Sequence, residues 1–432
     1  MMYSFSRKMF QNILKKSTQI ISKSFASNSV QNALYPVMFL ASVLSITPFK
    51  YMVKKSKSKT VLSIPLLIWF CLFKFNYFSC LTRTMMYNLS NLKENMHMSI
   101  LEFSEKFQIY TGFITIVYLM IDSWINKDDL AKIFEIQDDI DLIFKSLGRK
   151  RFYHQLKFRM VLITIIYLIV FSVYGSTDAI FKSTQISYWT SFELSSTLYN
   201  PVIQVTGTLT MFVAFVYVIT LDLAILNEEM TTLSPAQETI VYNLRNAKSS
   251  VRFLTTTNLQ PRDTMILEKI NLIWNVYIKI CDCSLVISRY FSGKILAILA
   301  MSFLWVLLNF FFLMSSLFKL LNNDVIEGRI FLFAVMQFFI NGLCIVAIIY
   351  VCNLCEQRSY KSANLITNIM VNEKTKTISL KLLHFSTHML HVKPQFTAAG
   401  LFVINNSLYF TMAGAITTYM IILIQFSISS VK

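Results

Sequence analysis

The sequence predicts an all-α polytopic membrane protein: seven transmembrane helices, a short re-entrant N-terminal segment and cytoplasmic helical extensions that pack into an intracellular bundle. Three observations predict it. Over 432 residues the chain is 55% hydrophobic with a mean hydropathy of +0.53, too apolar for a soluble domain of this size. Seven apolar stretches are each long enough to cross a hydrocarbon core of roughly 30 Å. The basic residues, which give a formal charge of +17, cluster between those stretches and read as topology determinants, not as a nucleic-acid footprint. Only 9 glycines occur, about 2% against a usual value of roughly 7%, which argues against the broken, Gly-rich helices of secondary transporters.

Residues 1–60 read as a cytoplasmic N-terminus. Arg7, Lys8, Lys15, Lys16 and Lys23 stand there without acids, and no compact apolar region with a small-residue cleavage site follows, so insertion is expected to use an internal span. Val30 to Phe49 is uncharged but holds Pro36 and Pro48, and Lys50, Lys54, Lys55, Lys57 and Lys59 come directly after it. Crossing would put two basic clusters on opposite sides, so the segment is expected to be re-entrant or interfacial.

The predicted spans are Val61–Thr82, Phe107–Ile125, Met160–Thr177 and Tyr199–Leu226 (within residues 61–226), Ile295–Phe318 and Ile330–Cys355 (within 295–355), and Leu401–Phe426 (within 401–432). With the N-terminus inside, 32 of the 40 Lys and Arg fall on inner segments: 10 in residues 1–60, 8 in 127–159, 8 in 227–294 and 6 in 356–400. That asymmetry predicts a cytoplasmic N-terminus and an extracellular C-terminus.

The inner segments carry helical signals. Ser234-Pro235-Ala236-Gln237-Glu238 supplies an N-cap, a proline at the first helical position and an acid in the first turn, predicting a helix towards Phe253. A second start at Pro261-Arg262-Asp263 continues through Ile270, Ile273 and Tyr277 into the fifth span, and a further helix is expected from about Thr377 to His391. Asp138, Asp139 and Asp141 lie in a helical pattern with Ile136, Ile140 and Ile143 and are expected on a solvated face.

Three constellations invite a chemical reading. His384, His388 and His391 share one helical face at a spacing that can hold zinc, but no neighbouring acid or cysteine completes the set. Cys352-x-x-Cys355 and Cys281-x-Cys283 are expected to be packing cysteines. Asn88-Leu89-Ser90, expected in an outer loop, is a glycosylation acceptor pattern. No nucleotide-binding Gly-rich loop, nucleophile elbow or paired-carboxylate site is present, so neither an enzyme nor a cofactor is expected.

Polar and aromatic residues in the outer halves of spans two to six are candidate ligand contacts: Tyr110, Thr111, Tyr174, Asp178, Gln204, Thr206, Trp305, Asn309, Gln337 and Asn341. Aromatic walls with a few oriented polar groups make a small-molecule pocket. In the last span, Thr418, Ile422 and Gln425 or Phe426 fall on one stripe about a turn apart. An unpaired Gln is costly against lipid, so that stripe should face protein or water.

The run Thr418-Tyr419, five apolar residues, Gln425-Phe426 resembles the signature closing the seventh helix of insect gustatory receptors. The preceding segment, LLHFSTHMLHVKPQFTAAGLFVINNSLY from Leu382 to Tyr409, resembles that family's approach to its last helix. The resemblance is specific over about the last 50 residues and is a matter of layout before them. It implies a tastant-gated, weakly selective cation channel, a homotetramer or heterotetramer in the plasma membrane of a sensory neuron. Subunits would meet at an anchor domain and at a pore lined by the last helix, with Ile422 and Phe426 as apolar constrictions and Gln425 as an uncharged polar ring. The main sugar-sensing group usually carries an acid just after the Thr-Tyr; Met420 stands there, which leaves bitter-type, fructose-type and other small-molecule sensing open. The alternative is a G-protein-coupled type of receptor without conductance, disfavoured by the predicted orientation and by the missing Asp-Arg-Tyr and Asn-Pro-x-x-Tyr motifs.

Overall fold

The computed structural model describes residues 29–54, 57–92, 100–151, 153–183, 188–233, 261–321, 328–373 and 375–429. In chain order these form α1 (Val30–Val43), a hairpin of β1 (Phe49–Lys54) and β2 (Lys57–Leu62), α2 (Ile64–Leu92), α3 (Ile100–Ile125), α4 (Lys127–Ser146), α5 (Tyr153–Ser183), α6 (Tyr188–Thr232), α7 (Pro261–Leu321), α8 (Gly328–Asn372) and α9 (Lys376–His391). A two-residue pairing of β3 (Thr397–Ala398) with β4 (Phe402–Val403) then leads to α10 (Ser407–Ser429). Seven of these helices are long and apolar enough to cross a membrane, within α2, α3, α5, α6, α7, α8 and α10. All seven predicted spans are among them.

α1 has too few residues to cross. At 1.5 Å per residue its 14 residues cover about 21 Å. Ser29 caps it by accepting a hydrogen bond from the Asn32 amide at 3.3 Å. Val30, Ala33, Leu34, Val37, Leu40 and Ala41, at helical spacing, are buried. The chain then reverses at Leu44 to Pro48, where Ser45 takes φ +58. This tip lies against the middle of α6: a Cβ on Gly207 would come within 2.6 Å of Leu44 Cδ1. The return leg reaches Trp124 at the end of α3, where the rings of Phe49 and Trp124 stand 5.3 Å apart. Both legs therefore meet the same end of the bundle, the form expected of a re-entrant segment. The hairpin that follows was not expected, and it moves the start of the first span from Val61 to Ile64.

The helical extensions gather at that end. α4 packs Leu130, Ile133, Phe134, Gln137, Ile140, Asp141 and Phe144 inward and carries Asp128 and Asp129 in its first turn and Lys145 in its last, each suited to the helix dipole. α7 starts at Pro261 with Asp263 in its first turn and runs unbroken for 61 residues, so the predicted helix and the fifth span are one rod. Ile270, Ile273 and Tyr277 are buried along it. α9 matches the helix expected at Thr377–His391; its Phe385 stacks on Trp274 of α7 at 5.4 Å. The helix predicted from Pro235 lies outside the described residues.

Two expectations fail in this region. Asp141 is not on a solvated face: Arg151 Nη1 lies 3.0 Å from its Oδ1, and both side chains are buried. The last span does not start at Leu401. Ala399 and Gly400 take positive φ, and residues through Val403 turn back to pair β4 with β3, so the helix begins at Ser407, where Asn405 Oδ1 accepts from the Ser407 amide. Gly400 is thus a turn glycine, and among the described residues neither it nor Gly414 has a close neighbour.

Candidate functional site

At the bundle end opposite the extensions, five helices bring most of the predicted ligand residues inward. Trp305 of α7 is fully buried, and its indole Nε1 donates to Thr111 Oγ1 of α3 at 3.1 Å. Asn309, one turn on, donates to the Trp305 carbonyl at 2.7 Å. Backbones approach closely here: a Cβ on Gly112 would lie 2.7 Å from Pro201 Cγ of α6 and 3.8 Å from the Trp305 ring. Pro201 has no amide hydrogen to give to its own helix.

A second cluster joins α5, α6 and α8. Gln337 Nε2 donates to the Tyr174 hydroxyl, and Asn341 Nδ2 donates to Gln337 Oε1 at 3.1 Å and to its carbonyl at 2.9 Å. Tyr174 meets Tyr199 edge to face at 4.3 Å. Gln204 accepts from Lys74 Nζ of α2 and donates to Asn200 at 2.6 Å. Thr206 donates to the Val202 carbonyl at 2.6 Å and to the Tyr167 hydroxyl at 3.4 Å. The amides of Gln337, Asn341 and Gln204 and the hydroxyls of Tyr174 and Thr206 each have a neighbour as partner. A ligand entering must exchange at least one such bond, and so must offer comparable donors or acceptors.

Tyr110 is a correction. It is 53% exposed and faces away from the cluster, because the inward face of α3 is taken by Gln108, Ile109, Gly112, Thr115 and Ile116. Asp178 lies on α5, but its side chain is outside the described residues. Asn88 is on helical backbone, not in a loop, because α2 continues to Leu92.

α10 is the opposite case. Only 6% of its apolar window is buried, against 67% for α6. Met420 is buried and Tyr419 meets the Phe303 ring at 6.4 Å, but Thr418, Ile422 and Gln425 are exposed on one stripe. Thr418 donates to its own helix at Gly414. Phe426 continues the helix, with its side chain outside the described residues.

This architecture and the sequence match a known family model, the 7tm chemosensory receptor, over residues 34–430. The chain belongs to the 7tm chemosensory receptor family. Among curated relatives it is 24% identical to gustatory receptor 28b of Drosophila melanogaster over 336 residues, covering 76% of this chain and 70% of the relative. It is 25% identical to gustatory receptor 28a of the same fly, covering 93% and 92%. The olfactory receptor OR5 of Machilis hrabei, solved in complex with eugenol, shares the fold with a TM-score of 0.63 at 14% identity, covering 91% of this chain and 97% of that one.

Sequence reasoning missed the charged groups that tie this chemosensory receptor together at the extension end. Arg151, between α4 and α5, is flanked by Asp141 and by Asp222 of α6 at 2.8 Å. Burial disfavours its charge, but the two carboxylates outweigh that and hold the guanidinium above its usual value. Asp138, one turn before Asp141, has its carboxyl raised, first by burial and then by the Asp141 charge. Lys294 of α7 pairs with Asp122 of α3 at 2.6 Å, and Glu229 of α6 is held by Arg149 and by Lys269. The available signal was a charge inside or beside an apolar run, as at Asp222, Lys294 and Lys74. Cys281, Cys283, Cys352 and Cys355 are free thiols buried in helix contacts, and His388 packs against Trp274.

Proposed function

We propose that this receptor is a tastant-gated, non-selective cation channel of the gustatory type, whose pore is lined by α10 from four subunits, identical or mixed. The exposed side of α10 carries this reading: the Thr418, Ile422 and Gln425 stripe of a membrane-length helix is left uncovered by the described residues of its own chain. In a ring of subunits Ile422 and Phe426 would form apolar constrictions and Gln425 a ring of amide dipoles. No acidic residue lies along α10, consistent with weak selection among small cations.

One further observation supports assembly and another the orientation. The extension end, beyond the apolar spans, exposes Leu380, Leu383 and Leu390 of α9 together with Leu401 and Phe402. Apolar surface that lipid does not cover marks a protein contact, and the 356–400 segment and its neighbours supply the anchor. The charge distribution supports an orientation with the extensions and N-terminus in the cytoplasm and the C-terminus outside, at the plasma membrane of a sensory neuron.

The tastant binds in the outer cluster of Thr111, Trp305, Tyr174, Gln337 and Asn341. It opens the gate only by its differential affinity for the conformation in which the α10 helices separate. The decisive test is whole-cell current in cells expressing this chain, across sugars and bitter compounds, beside an Ile422→Ala/Phe426→Ala double variant. A tastant-dependent cation current with altered leak or gating in the variant is expected. Current unchanged by both substitutions removes the gate from α10, and an epitope at the C-terminus reached only from the cytoplasm overturns the orientation.

A further inference from the structure

We propose that the inward face of α2 is a subsite for an anionic group of the small molecule this receptor binds, with Lys74 as its counter-charge and a carboxylate as the group that fits. Lys74 is buried in the middle of a membrane-length helix. Its ammonium donates to Gln204 Oε1 at 2.5 Å and lies 5.3 Å from the centre of the Phe70 ring. Among the described residues no carboxylate pairs with it.

The other buried cations are treated differently. Arg151 has two aspartates and Lys294 has Asp122. An ammonium has three donors and no acceptor, so Lys74 holds unused donors where hydrocarbon and protein exclude water. Ionisable groups placed so within membrane helices mark binding or transport sites.

The neighbours on the same face share the deficit. Tyr77, three residues on, is 1% exposed and its hydroxyl has no hydrogen-bond partner among the described residues; the same holds for Thr84, two turns further. Residues at these spacings stack along one side of a helix. This side turns towards α3 and α6, where Tyr77 packs with Ile109, Ile116 and Leu198. Ammonium, phenol and hydroxyl thus stand in a row with one acceptor between them, the amide oxygen of Gln204, whose nitrogen is already given to Asn200. The missing complement is negative charge and acceptor oxygen, which a carboxylate supplies. Gln204 couples the subsite to α6, the helix that carries Pro201 and Tyr199 of the adjoining clusters.

This inference rests on the reading of the chain as a small-molecule receptor but not on conduction, so its test is binding to the purified full-length chain. Thermal melting is followed with benzoate, cinnamate and octanoate at neutral pH and with their methyl esters. At least one acid is expected to raise the melting temperature while its ester acts at concentrations about tenfold higher or more, the size expected for losing a charged hydrogen bond. Lys74→Met should abolish that preference and leave the ester response within about twofold, and Lys74→Arg should retain it. Without ligand, Lys74→Met should melt at or above the wild-type temperature, because an uncompensated buried charge is removed. Equal action of acids and esters, no effect of any acid on the wild type, or a lower melting temperature of ligand-free Lys74→Met overturns the proposal. Conduction is read separately, in whole-cell current, so an acid-selective shift in melting stands whether or not the chain conducts alone.

Discussion

α6 and α10 are both long and apolar enough to cross a membrane and have opposite fates. Two thirds of the membrane-length window of α6 is buried, and it meets α1, α2, α3, α5, α7 and α8; α10 contacts chiefly α7 and α8 through one side, and 6% of its window is fully buried. α6 also carries Asp222 and Glu229 into buried ion pairs, whereas α10 has no charge. The contrast teaches where stability and function reside. A residue on α6 holds the subunit together; a residue on the exposed stripe of α10 is left for the subunit contact and pore proposed above.

The largest break should come on the α6 side. Arg151→Met leaves Asp141 and Asp222 buried without their shared cation and should cost about 3 to 5 kcal/mol, read as a loss of monodisperse receptor on detergent extraction and a lower melting temperature. A variant that melts like wild type would remove the claim that this triad clamps α4 to α6. Gly112→Ala comes next. Its methyl meets Pro201 at 2.7 Å and should cost about 1 to 3 kcal/mol through overpacking, with a weakened tastant response as α3 and α6 are pushed apart beside the proposed ligand cluster; an unchanged dose-response curve would separate this contact from that cluster.

On α10 the expectation reverses. Ile422→Ala should change melting by under about 1 kcal/mol, because little within the chain packs on Ile422, while altering leak or gating in current recordings. A large stability loss with normal currents would make α10 an ordinary packing helix. The smallest effect concerns Asp138. Its carboxyl is raised on folding, so the folded state binds the proton more tightly than the unfolded chain, and this group's share of stability grows as pH falls through the range just above the ordinary carboxylate value. Asp138→Asn should flatten that part of a melting-against-pH curve; an identical slope would show that Asp138 does not titrate differently on folding.

Much of this fold was legible because a membrane makes sequence local. Apolar runs gave the seven spans, and Pro261 and the Thr377–His391 pattern gave the ends of two extensions. What escaped depended on distant partners. Nothing near Asp141 announces that Arg151 and Asp222 will close on it. Tyr110 and Thr111 are adjacent on a helix apolar on several sides, so only packing decides that Thr111 turns inward. Leu401 to Val403 are apolar enough for a span, yet positive φ at Ala399 and Gly400 turns them into a hairpin. The strands at Phe49–Leu62 were hidden in what looked like a basic cluster. Within the proposed ligand cluster, residue types were readable but pairings such as Gln337 with Tyr174 were not.

The unbroken rod of α7 has a mechanical corollary. Its 61 residues cover about 90 Å, and near the midpoint it is pinned twice. Lys294 binds Asp122 beside Gly293, whose missing side chain makes room for the Tyr118 hydroxyl, and the Ala399 amide donates to the Ser292 carbonyl at 3.1 Å. A stiff beam held at its centre is a lever on a fulcrum. At about 45 Å from the pivot, a tilt of roughly 3° displaces each tip by about 2 Å in opposite directions, and the strap leading to α10 is fastened at the pivot itself.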